Sequence, residues 1–165
     1  APVCDVTLKE DRSEVISFFK KKAKEVTDPS LGILRYTEDS EGPYWEVLET
    51  PSDTRNSVEI DFAAVAGTYD GPDPQAIAAF SSKIKRPQTL WGLIDDSFIS
   101  LVAGDFYGLA PSNASDHFYL RSLTLESPQK FEVGFHARTK DIFVEIFIEN
   151  GVVANVERDD GCCTM

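Results

Sequence analysis

The stretch KFEVGFHARTKDIFVEIFIENGVVANVE, residues 130–157, decides the fold. Apolar and polar residues alternate along it, the period of a half-buried strand. A two-residue turn at Thr139-Lys140 sets Ala137 against Ile142, Phe135 against Val144, Val133 against Ile146 and Phe131 against Ile148. That face is wholly apolar, as the buried face of an antiparallel sheet requires. A slip of one residue would bury the other set, so the pattern fixes the register. Arg138 then stands opposite Asp141 beside the turn.

The next turn is Asn150-Gly151, a strong hairpin dipeptide. A plain two-residue connection there puts Val152, Ala154 and Val156 beside Glu149, Phe147 and Glu145. The second face then also carries apolar groups, Phe143 and Phe147 among them. A strand that is apolar on both sides belongs to a barrel or to a sheet with a helix laid on it.

Outward from this unit the elements are less regular. Residues 7–26 predict a long N-terminal helix: Thr7 and Glu10 form a capping-box pair, and Val15, Phe18, Phe19, Ala23 and Val26 recur at helical spacing. GILRYTE and YWEVLET, separated by turn formers, predict a hairpin, and SVEIDF another strand with Val58, Ile60 and Phe62 on one face. DGPD at 70–73 reads as a turn, with Asp73 capping a shorter middle helix that has Pro74 at its first position. LWGLIDDSFISLVAGDFYG reads as two strands around Asp95-Asp96-Ser97, GLAPSNASD as a loop, and HFYLR as a strand. The expected fold is one β-rich α+β domain over residues 1–165. Its antiparallel sheet has about seven or eight strands, in an arrangement that can close towards a barrel.

Composition narrows the function. Twenty-eight acidic and 16 basic residues give a net charge of -12. Affinity for nucleic acid comes from neutralising phosphates with Lys and Arg, so nucleic acid is not an expected partner. Anionic membrane surfaces are disfavoured for the same reason. No apolar run reaches the roughly 18 residues that a transmembrane helix needs; no signal peptide is visible in the sequence, and APVC fits either loss of an initiator Met or cleavage of a signal peptide. The phosphate-binding loop, the dinucleotide-binding glycine pattern and the nucleophile elbow are all missing. Two histidines and three cysteines show no zinc spacing. The expectation is no metal and no cofactor.

Two site readings follow. The first is a pocket for an apolar small molecule, lined by Trp45, Trp91, Phe143 and Phe147, with Tyr119 and Arg121 as polar contacts. The second is a cofactor-independent enzyme of isomerase, lyase or cyclase type in the same pocket. There His136 and Glu145, diagonal neighbours in the hairpin register, would do the acid–base work. A protein-interaction domain is a third class.

His117 joins Tyr119 and Arg121 on one face if HFYLR is extended. Asp95-Asp96 beside Trp91 reads as a turn rather than as a shared-proton pair, because neighbours on a strand point apart. The C-terminal CCTM fits a prenylation box at Cys162, but acidic residues precede it. A disulfide from Cys4 to Cys162 or Cys163, together with a glycan on Asn113, would instead mark a secreted protein. Three free thiols in a cytoplasmic protein is the reading adopted from sequence.

Overall fold

The computed structural model describes residues 23–161. Ten strands form one sheet in the order β1 (Glu25–Asp28), β2 (Gly32–Asp39), β3 (Gly42–Val47), β5 (Val58–Thr68), β7 (Phe118–Ser127), β8 (Lys130–Ala137), β9 (Ile142–Glu149), β10 (Val152–Asp160). The two-residue strands β4 (Ser52–Asp53) and β6 (Gly71–Pro72) pair with β5 off this path. Among the described residues no helix is long and apolar enough to cross a membrane.

The hairpin of residues 130–149 forms in the expected register. Phe131 pairs with Ile148, Val133 with Ile146 and Phe135 with Val144. Every side chain of that column is buried, and Val133, Phe135, Val144 and Ile146 are fully so. The next hairpin departs from the expectation. Val152 does pair with Glu149, but a bulge at Ala154 shifts the ladder, so Asn155 meets Phe147 and Val156 meets Ile146. One extra residue in a strand inverts the faces beyond it. Val156 therefore packs on the core instead of joining Phe147 on the other face.

The sheet is mixed rather than wholly antiparallel, because β5 and β7 run parallel. Parallel neighbours need a crossover, and the chain between Thr68 and Phe118 supplies one. It holds α1 (Pro74–Lys85), α2 (Gln88–Trp91), α3 (Asp96–Val102) and α4 (Ala114–His117). Asp73 caps α1 as expected, its carboxylate accepting from Gln75 N at 2.9 Å. The two strands expected over residues 90–107 are helices instead. Asp95 is the N-cap of α3, with Oδ1 accepting from Ser97 N at 3.0 Å and Phe98 N at 3.3 Å. Phe98 and Val102, four apart, are buried, so a helical stripe outweighed the β-rich composition.

The helices cover one face only. Phe80, Leu90 and Phe98 share a single core with Leu120, Val133, Phe135 and Val144. Phe98 meets the Phe118 and Phe135 rings edge-on at centroid distances of 5.3 and 5.7 Å. The sheet does not close into a barrel: β1 and β10 are its two edges. The long N-terminal helix is not borne out where it can be compared, because Glu25–Asp28 is strand paired to β2, with Glu25 bonded to Arg35 at 2.8 Å. The rest of that helix lies outside the described residues, as do Cys4, Cys162 and Cys163.

Candidate functional site

The face opposite the helices carries a groove of about 540 Å³. It crosses the ends of β3, β5, β7, β8 and β9. Small side chains on the central strands, Ala64, Ala66 and Thr124, line its middle. Rings stand at its sides: Tyr44 and Phe62, packed edge-on at 6.3 Å, and Phe147. The sheet curls enough for Asp39 and Glu41, at the β2–β3 turn, to border the same groove as Glu149 at the end of β9.

Phe62 reaches this face through an irregularity in β5. The expected strand placed Val58, Ile60 and Phe62 together. Val58 and Ile60 are buried, but the ladder with β7 shifts between Val58 and Phe62. Phe62 is left 38% exposed on the groove side, and Ala63 takes the core position. Tyr44 and Phe62 were not singled out from sequence. The one available signal was the run FAAVAG, in which small residues follow an aromatic and no strict alternation survives.

The rim is acidic. Asp39, Glu41, Glu126, Glu132 and Glu149 border the groove, with Lys130 as the one cation among its lining residues. Lys130 is already paired with Glu126 at 3.2 Å. Glu132 is exposed at the edge, yet its carboxyl is held above the usual carboxylate range, first by loss of water and then by Glu41, Glu126 and Glu157. Glu145, half-buried farther along the same face, is raised by desolvation and then by Glu132 and Glu157. Partial burial and the nearby Asp39 and Glu46 charges likewise raise the Tyr44 hydroxyl. Among the described residues no group of three or more His, Cys, Asp or Glu is arranged to hold a metal ion.

Of the residues singled out from sequence, Phe147 lines the groove. Phe143, Tyr119, Arg121, His136 and Glu145 share its face but lie farther along the strands. Phe143 covers Gly134, where an added Cβ would strike both its ring and the Ser122 hydroxyl. Arg121 sits at a bulge in β7, ion-paired with Asp61 at 2.8 Å and 5.8 Å from the Phe143 ring centre. His136 stacks obliquely on Tyr119 at 5.5 Å. Its Nδ1–H donates to Ala137 O at 2.7 Å, and its Nε2 lies 3.3 Å from Asp141 Oδ1. The carboxylate that meets His136 is thus Asp141, while Glu145 pairs across from Gly134.

The tryptophans belong to the scaffold. Trp45 is fully buried, its indole N–H donating to Thr68 O at 2.9 Å. Trp91 packs on Phe135 at 4.9 Å and donates to Asn56 O at 3.0 Å. His117 ends α4 and meets the Phe106 ring at 5.6 Å, away from Tyr119 and Arg121. Asn113 spans a turn: its Oδ1 accepts from Ala110 N at 2.8 Å and its Nδ2 donates to Gly108 O at 2.9 Å. No family model, no curated protein and no solved structure matches this chain.

Proposed function

We propose that the protein binds a small molecule with an apolar body in this groove. The observation that carries the reading is a concavity of about 540 Å³ on the sheet face away from the helices. Ligand sites commonly measure roughly 300–1,000 Å³ and combine apolar walls with a few polar groups. Tyr44, Phe62 and Phe147 supply the walls, and Ala64 and Ala66 leave the depth. A cofactor-independent isomerase, lyase or cyclase built on His136 and Glu145 has less behind it, because neither residue lines the groove.

The test is titration with phenylbutanol, followed by amide chemical shifts. Binding in the groove moves the signals of Ala64, Ala66, Thr124 and Phe147, and leaves those of Phe80 and Phe98 in place. Shifts scattered over the helices, or none up to the solubility limit, would refute the reading.

A further inference from the structure

The groove's charge says what its ligand carries. Five carboxylates surround it against one ammonium, Lys130, which is bonded to Glu126 and also acts on Glu132 and Glu149, so the groove keeps a negative excess. Glu41, Glu132 and Glu149 make no salt bridge among the described residues. Glu132 feels Glu41 across the opening, from a turn several strands away. Carboxylates gathered over low-dielectric walls repel one another, and a cation between them relieves that repulsion. An anionic ligand would add to it. The walls suit a cation as well: a ring face attracts an ammonium or guanidinium within about 6 Å by roughly 0.5–2 kcal/mol. A second copy of the chain is a poor occupant, because each copy carries a net charge of -12.

We propose that the groove takes an organic cation: a small molecule whose apolar body lies against Tyr44, Phe62 and Phe147 and whose ammonium or guanidinium end sits among Glu41, Glu132 and Glu149. This rests on the reading of the groove as a ligand site. Carboxylate identity, rather than any one hydrogen bond, makes the selection. The preference is therefore electrostatic and weakens with salt.

Three matched probes test it: phenylbutylamine, phenylbutanol and phenylbutanoate, titrated against the full chain by calorimetry and amide shifts. The amine is expected to bind at least about tenfold more tightly than the alcohol, a difference of about 1.4 kcal/mol, and the carboxylate more weakly than either. In about 1 M salt, where the screening length is about 3 Å, the amine's advantage should shrink. The variant Glu41→Gln/Glu132→Gln should lose most of the advantage and keep the alcohol affinity. Equal affinity for amine and alcohol in the unmodified protein overturns the charge inference and leaves the groove reading standing. Failure of all three probes removes both.

An amine preference untouched by the double variant also overturns the inference, since the cation would then lie elsewhere. One further occupant is distinguishable. The chain's own FFKKK, residues 18–22, joins two rings to three lysines. Replacing Lys20, Lys21 and Lys22 with Ala should leave amine binding unchanged. A tenfold gain on that replacement would identify the chain's own basic stretch as the occupant in place of a small molecule.

Discussion

Replacing Ile146 with Ala tests the face assignment on which the groove depends. Ile146 is fully buried and pairs with Val133 on one side and Val156 on the other. The change removes three carbons, a transfer loss of about 2.4 kcal/mol at roughly 0.8 kcal/mol per methylene. The neighbours are held in the sheet and cannot fully close the space. A residual cavity of roughly 60 Å³ adds about 1.5 kcal/mol at about 24 cal/mol per Å³. The expected cost is about 4 kcal/mol, within the measured range of roughly 2–5 kcal/mol for such changes. In a domain of this size that lowers the melting temperature by about 8–16 °C. Phe147 is the next residue along, with its side chain in the groove. Phe147→Ala should cost less, under about 2 kcal/mol, because its ring is only partly buried and lines the groove, and it should weaken binding of the phenylbutyl probes. Urea titrations with unchanged slopes give both values. Equal midpoints, or a larger loss for Phe147→Ala, would show that the faces are exchanged, and the groove would be lost with them.

Gly134→Ala should destabilise by about 1–3 kcal/mol, as overpacking does, because a Cβ there meets the Phe143 ring and Ser122 Oγ. The Phe143→Ala/Gly134→Ala pair measured by urea should cost less than the sum of its parts. Glu145 holds its proton more tightly in the folded state than its ordinary value of 4.5, so stability falls as pH rises from that value through the raised one. Glu145→Gln should accordingly raise the urea midpoint at neutral pH and remove that part of the slope; an unchanged profile would contradict the desolvated placement. Asp95 runs the other way: the Ser97 hydroxyl and the backbone N–H groups it accepts from hold its carboxyl below 3.8. Asp95→Ala should cost about 0.5–2 kcal/mol near neutral pH, and calorimetric scans should show the difference vanishing as pH drops through the lowered value.

Parts of this protein could be read directly from the chain. Strands β8 and β9 were legible because alternation over eight residues admits one register; at the turn the expected facing of Arg138 and Asp141 gives way to other partners, Arg138 donating to Ser57 Oγ and Asp141 lying beside His136. Helix α1 was legible from Asp73-Pro74, a cap followed by a fixed φ. The β2–β3 hairpin followed from turn formers between β-rich runs. Phe147 was named as a lining residue because its register position was sound. Trp45 and Trp91 were named for their size alone; Trp45 is buried and Trp91 packs half-buried on the core, each with its N–H satisfied by a main-chain carbonyl. Residues 88–102 misled because Leu, Ile and Phe suit strands as well as helices. Their i, i+4 spacing became decisive only against Phe118 and Phe135.

The sequence by itself determined the local pairings, because alternation, caps and turns act within about ten residues. It could not determine which face of the sheet the helices would take. That choice follows from a crossover that brings β5 beside β7 in parallel, and it is made only when Leu90, Phe98 and Phe118 find each other across distant segments. Nor could it foresee the bulge at Ala154 or the shift before Phe62, each of which turns a side chain to the opposite face. The groove belongs wholly to that second level. Its residues come from six strands, and its acidity arises because sheet curvature carries Glu41 toward Glu132. Loop closure and sheet curvature set those distances, and neither is written in any one stretch of chain.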